Sequence, residues 1–243
     1  MQYISKVIFF VVFFSLSSLF AQETVNFKAK DGLIVTANLY EIDSLNPYVL
    51  LFHQAGSSKG EFKEIAIKIL KLQYNVLAVD LRSGDVMNFS PNLTASLADK
   101  ENFPHSNIDA RQDIVAAINY AFEKSNNQKL VIFGSSYSAS LCLLEGKNND
   151  KVKAVIAFSP GEYFQPQIVL QEELIGYKKK IFVACSDSEF KYTKLLLSGV
   201  EEKYKTVFAP SENEGKHGAK ALWKDCAANK EYWLNLFLFF KQI

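Results

Sequence analysis

The run Lys129–Leu144 (KLVIFGSSYSASLCLL) constrains the fold more than any other stretch of the chain. Leu130, Val131, Ile132 and Phe133 are consecutive apolar residues, the mark of a strand covered on both faces. Ala139, Leu141, Leu143 and Leu144 then read as a helix. Between them the chain must turn within Gly134-Ser135-Ser136-Tyr137-Ser138. Strand and helix almost touch at such a corner, so its flanking positions must be small. Gly134 meets that need, and Ser138 stands where a glycine would leave more room. A serine at the tip is held in a strained backbone conformation that projects its hydroxyl beyond the end of the sheet, the arrangement called a nucleophile elbow. The N–H of Tyr137 falls at the helix N-terminus, where unpaired donors and the helix dipole favour negative charge.

The rest of the chain repeats the alternation of strand and helix. Glu23–Lys28 and Leu33–Glu41 flank the turn Lys30-Asp31-Gly32 and predict a hairpin. Buried strands follow at Tyr48–Phe52, Asn75–Val79, Val152–Phe158, Ile181–Cys185 and Tyr204–Phe208. Helical spacing appears at Glu61–Leu72, Asp109–Glu123, Phe190–Leu197 and Ala219–Lys241. This order predicts an α/β fold, a single-domain, doubly wound and mostly parallel sheet spanning residues 22–243. Asp85–Ile108, with Pro91 and Pro104, is the least regular part of the chain, and Ser159–Lys180 holds Pro160, Pro166 and one short helix. Some twenty residues separate Phe158 from Ile181, too few for a large cap domain there, so these two segments are expected to roof any pocket.

Residues 1–21 carry Lys6, an apolar run from Val7 to Phe14 continuing through Leu16, Leu19 and Phe20, and then Ala21-Gln22. That is the pattern of a cleaved secretory signal peptide and predicts a periplasmic or secreted protein, without stable membrane insertion after cleavage. No cysteine lies near the cleavage point to carry a lipid. A net charge of +1 with no basic stripe argues against nucleic acid as a partner. Cys142, Cys185 and Cys226 all lie in apolar settings and are expected to be buried free thiols; their spacing is not that of a metal site.

In sheets of this kind, sites gather at the C-terminal ends of the strands. The polar residues there are His53, Gln54, Asp80, Arg82, Ser136, Asp187 and His217. Serine after a middle strand, aspartate after a later one and histidine after the last form an ordered set. A serine hydroxyl needs an adjacent imidazole to take its proton, and a carboxylate to hold that imidazole in one tautomer.

On His53-Gln54-Ala55-Gly56, Asp80-Leu81-Arg82-Ser83-Gly84, Gly134-Ser135-Ser136-Tyr137-Ser138, Asp187 and His217-Gly218, the chain resembles the α/β-hydrolase superfamily, in particular its small dienelactone-hydrolase-like and esterase members. The resemblance implies Ser136 as nucleophile, His217 as general base and then acid, and Asp187 as the orienting carboxylate, with Glu162 as the substitute acid. It implies an oxyanion hole from the N–H groups of Tyr137 and Ala55, a small-molecule acyl substrate, and neither cofactor nor metal. His53 is expected to brace the oxyanion loop, His105 to lie near the mouth, and Asp80 and Arg82 to be structural, paired with each other or with loop backbone. Cys185 lies outside the elbow and is not the attacking group. Gln54, Ser83 and Ser138 depart from the usual pattern, and they leave open a second reading: a non-catalytic scaffold that binds a ligand or partner.

Overall fold

The computed structural model describes residues 22–243; the signal-peptide expectation for residues 1–21 falls outside them. The predicted hairpin is present as β1 (Gln22–Lys28) and β2 (Ile34–Tyr40), paired antiparallel. There follow β3 (Tyr48–Phe52), α1 (Lys63–Leu70), β4 (Asn75–Val79), α2 (Leu93–Lys100), α3 (Arg111–Lys124), β5 (Leu130–Ser135) and α4 (Tyr137–Lys147). The chain continues through β6 (Val152–Phe158), α5 (Leu170–Glu173), β7 (Lys180–Ala184), α6 (Asp187–Leu196), β8 (Lys205–Phe208) and α7 (Asn229–Phe240). The eight strands form one sheet in the order β1-β2-β4-β3-β5-β6-β7-β8. β2 is antiparallel to β4, and every pair from β4 across to β8 is parallel.

Continuous apolar strands are explained by what lies on each side of them. In β3, Leu50 and Phe52 face one core with Ile114, Ala117 and Ile118 of α3 and Leu141 of α4. Val49 and Leu51 face the other, with Ile65 and Ile69 of α1 and Leu236 and Phe239 of α7. Successive side chains point to opposite faces, so a strand covered twice has no polar position to spare. Each such side chain, fully buried, contributes about 1.5–3 kcal/mol of transfer free energy. The ring of Phe133 stacks on that of Phe158 with centroids 5.0 Å apart, carrying the second core across β5 and β6.

The expected helices at Glu61–Leu72 and Asp109–Glu123 are shifted by one or two residues at their ends, and α2 lies within the segment Asp85–Ile108 expected to be irregular. Two larger differences occur towards the C-terminus. The C-terminal helix begins at Asn229, because Gly218–Leu222 forms a separate 3-10 turn. The helix expected from Phe190 starts at Asp187, a shift that decides which acid meets the histidine.

The register aligns the strand ends in one row. Phe52 lies beside Gly134, Ser135 beside Phe158, Phe158 beside Ala184 and Ala184 beside Phe208. The residues that leave β3, β5, β6, β7 and β8 therefore emerge along a single rim. Among the described residues no helix is long and apolar enough to cross a membrane.

Candidate active site

Ser136 occupies the corner between β5 and α4 with φ 61° and ψ −124°, a conformation non-glycine residues rarely adopt. The corner is closed tightly enough that a Cβ on Gly134 would lie 2.4 Å from the Ser138 carbonyl oxygen and 2.5 Å from the Ala139 nitrogen. Only glycine fits there. Ser138, by contrast, uses its hydroxyl: Oγ accepts the Ser135 N–H at 2.9 Å and lies 2.7 Å from the Phe52 carbonyl, to which it donates. The departure from glycine is thus a buried, satisfied bridge between elbow and β3. Ser83 is accounted for in the same way, its hydroxyl 2.7 Å from that of Tyr137.

His217 Nε2 lies 2.8 Å from Ser136 Oγ. On its other side, His217 Nδ1 lies 2.5 Å from Glu189 Oε1. A carboxylate can only accept, so Nδ1 carries the imidazole proton and Nε2 presents its lone pair to the serine hydroxyl. Gly218, with φ +68°, lets the chain turn immediately after the histidine; a Cβ there would stand 2.6 Å from Ser135 Oγ.

The structure thus brings Ser136 and His217 together, and Asp187 is not their partner. Because α6 starts at Asp187, that residue lies in the first turn with Ser186 as its N-cap. Glu189 is the third helical residue, and its carboxylate folds back over the helix N-terminus towards the rim. Its Oε2 accepts from the Ser186 N–H at 2.9 Å, the Ser186 hydroxyl at 2.9 Å and the Ser159 hydroxyl at 2.8 Å. Burial opposes the charge, but the hydrogen bonds from His217, Ser186 and Ser159 outweigh it and hold the carboxyl at about 2. Glu162, the other acid considered, accepts the backbone N–H groups of Leu170 and Gln171 at the start of α5, at 2.7 and 2.8 Å. The sequence does carry the signal for Glu189: Ser186-Asp187-Ser188-Glu189 is a capping box, and that pattern begins a helix at this point.

Two residues of the β6 exit, Ser159 and Tyr163, were not among the predicted site residues. Ser159, with φ 52°, donates to Glu189 and accepts the Gly218 N–H at 2.9 Å, so one hydroxyl links acid and histidine loop. The Tyr163 hydroxyl lies 3.3 Å from Ser136 Oγ and donates to the Ser159 carbonyl at 3.1 Å. Burial raises the phenol's pKa, so it stays protonated. Neither residue forms a recognisable sequence pattern; both reach the serine because β6 is hydrogen-bonded to β5.

Across β5 from them lies the loop after β3. His53 is fully buried, with Nδ1 2.7 Å from the Gln54 carbonyl and Nε2 accepting the Leu81 N–H at 2.9 Å. Burial lowers its pKa, and the two bonds suit a neutral ring that braces the loop. Ala55 is exposed at the loop tip. Among the described residues, neither the Ala55 nor the Tyr137 N–H has a hydrogen-bond acceptor. Asp80 and Arg82 are buried and structural, but not paired with each other: Asp80 meets Lys59 at 2.5 Å, and Arg82 is clamped between Asp113 and Asp31 at 2.8 and 2.6 Å.

Beside His217 lies a cleft of about 610 Å³ lined by Asp187, Glu189, Pro210, Glu212 and Glu214. A polar cleft of about 460 Å³ is lined by Ser83, Gly84, Asn92 and His105. The three cysteines are free and buried. Among the described residues no group of side chains could hold a metal ion.

The sequence profile of the dienelactone hydrolase family matches residues 35–243. No curated protein matches the sequence. Solved structures do match the fold. An esterase from Pyrococcus furiosus superposes with a TM-score of 0.68 at 14% identity, over 92% of this chain and 90% of its own. A dienelactone hydrolase from Anabaena variabilis gives 0.69 at 14% identity, over 91% and 97%. An esterase from Pyrobaculum calidifontis gives 0.67 at 16% identity, over 91% and 85%. With most of its length matched by one family profile and a serine at the elbow of an α/β-hydrolase sheet, the chain belongs to the dienelactone hydrolase family and is a serine hydrolase.

Proposed function

We propose that the protein cleaves a carboxylic ester through an acyl-enzyme on Ser136. The observation that carries this reading is the unbroken chain Ser136 Oγ, His217 Nε2, His217 Nδ1, Glu189 Oε1, with links of 2.8 and 2.5 Å. As Oγ attacks the substrate carbonyl carbon, its proton passes to Nε2. Glu189, kept ionised, stabilises the imidazolium that results. Negative charge moves to the carbonyl oxygen, where the N–H groups of Tyr137 and Ala55 are the donors available to it. His217 then returns the proton to the departing alkoxide. Water, deprotonated by the same imidazole, releases the acid and regenerates Ser136.

The substrate is read as a small ester bound in an open cleft, roofed by the segments 85–108 and 159–180 that carry α2 and α5. Export is part of the proposal: removal of residues 1–21 would leave a mature chain starting at Gln22 and acting in the periplasm or outside the cell. Mass determination of the protein recovered from that compartment checks the start point.

A fluorophosphonate probe and a series of p-nitrophenyl esters of increasing acyl length test the chemistry together. Wild type should be labelled and turn over the short esters, and Ser136→Ala should abolish both. Well-folded wild type that neither labels nor hydrolyses any ester would sink the reading.

A further inference from the structure

Glu61 lies on the 3-10 turn Lys59–Phe62 and is 1% exposed. It takes no part in the chemistry above, and among the described residues no cation lies within salt-bridge distance of it. An unpaired buried carboxylate is costly, and a site that needed only packing would be better served by an apolar side chain. What Glu61 does have is donors. Its Oε2 accepts the Gln54 N–H at 3.0 Å and its Oε1 accepts the Ser135 hydroxyl at 2.7 Å. Ser135 Oγ in turn accepts the Ala219 N–H at 2.8 Å.

Each of these partners adjoins a reacting group. Gln54 precedes Ala55, Ser135 precedes Ser136, and Ala219 follows His217 by two residues. One carboxylate therefore ties together the segments leaving β3, β5 and β8. The bond directions are fixed. The Ser135 hydroxyl accepts the Ala219 N–H with a lone pair and donates its proton to Glu61, and the N–H of Gln54 can only donate. Both oxygens of the Glu61 carboxyl accept, and these bonds favour its charged form while burial pushes its pKa up. Glu61 holds the N–H on one side of the Gln54 Cα and His53 Nδ1 holds the carbonyl on the other at 2.7 Å, so the two bonds together orient the next peptide unit, which carries the Ala55 N–H.

We propose that Glu61 is a positioning residue for the oxyanion hole, setting the Ala55 N–H against the elbow that carries Ser136. The inference rests on the serine-hydrolase reading. Replacing Glu61 with glutamine keeps the shape but points an NH₂ group at a donor, so the loop after β3 moves away from the elbow. A misplacement of about 1 Å in such a donor costs on the order of 100-fold in rate.

The test uses the full mature chain and p-nitrophenyl butyrate, with a trifluoromethyl ketone as mimic of the tetrahedral oxyanion. Fluorophosphonate titration counts active sites. For Glu61→Gln, kcat per titrated site should fall about 10–100-fold while KM stays within about twofold, and the ketone's Ki should rise in proportion to the loss in kcat/KM. Ser135→Ala, which breaks one of the two links, should show the same split with a smaller loss. Wild-type kcat and Ki in Glu61→Gln would overturn the inference, as would a loss carried by KM or by the number of titratable sites. Failure of both variants to fold would also overturn it, assigning Glu61 to the fold alone. An inactive, unlabelled wild type would refute the hydrolase reading and this inference with it, whereas an active wild type beside unimpaired variants refutes this inference only.

Discussion

Ser186 and Glu189 hold one another across the first turn of α6, and the carboxylate that closes this cap is the one hydrogen-bonded to His217. A local device for starting a helix therefore fixes the acid in the rotamer that meets the imidazole. Three donors hold one oxygen of Glu189, leaving the other for the ring.

The two neighbouring acids should separate cleanly on substitution. Glu189→Gln is expected to lower kcat by about 10³–10⁴-fold, the cost of losing the tautomer and the counter-charge. Asp187→Asn should stay within about twofold, since no bond to the ring is lost. Steady-state ester hydrolysis by both variants checks the assignment. Near-full activity in Glu189→Gln would show that the imidazole is oriented by something else.

The same carboxylate links stability to pH. Folding lowers its pKa from 4.5 to about 2, so between those values the folded chain binds fewer protons at this site than the unfolded chain. The stabilisation is complete above 4.5 and drains away as the pH falls towards 2. Urea midpoints of wild type and Glu189→Gln should therefore differ most above pH 4.5 and converge on acidification; a gap that widens on acidification would contradict this.

Much of the molecule is legible in the chain because its central strands, β3, β4 and β5 above all, are buried on both sides, and their apolar runs have no other explanation. The elbow was legible for a local reason too, a small-residue corner between strand and helix. Asp187 is the first acid after β7 and so fits the expected order of the three residues, but the capping box begins the helix there and directs Glu189, in the same first turn, to His217. Tyr163 and Ser159 were illegible for another reason. Their contacts with Ser136, Glu189 and Gly218 span 27, 30 and 59 positions and arise only once β5, β6, β7 and β8 lie side by side.

Tyr163 offers a graded test of the pocket wall. Tyr163→Phe removes a hydroxyl that stands 3.3 Å from the nucleophile and donates to the Ser159 carbonyl, and should reduce kcat by less than about tenfold, the worth of that one neutral hydrogen bond. Tyr163→Ala removes a ring that is 43% exposed beside the serine. It should shift kcat/KM towards longer acyl chains, as read from the p-nitrophenyl ester series. An unchanged chain-length profile would show that the ring does not bound the acyl pocket.

Arg82 supplies a stability prediction independent of catalysis. Its guanidinium is fully buried between Asp113, also fully buried, and Asp31, which is 22% exposed. Asp113→Ala leaves a buried cation short of its main partner and should cost about 3–5 kcal/mol. Asp31→Ala should cost less, because water can replace part of that contact. Chemical denaturation of the two variants gives the comparison, and equal losses would show that solvent does not reach the Asp31 side.

The sheet order has a consequence for how the enzyme fails. Ser136 hangs from β5, flanked by β3 and β6, whereas His217 follows β8, the outermost strand, which is hydrogen-bonded on one side only. Fraying starts where backbone bonds are fewest. Under gentle heating or dilute urea the base should thus drift out of reach while the interior strands stay zipped, leaving an inert but still ordered protein whose catalytic power returns as soon as its border is rebuilt.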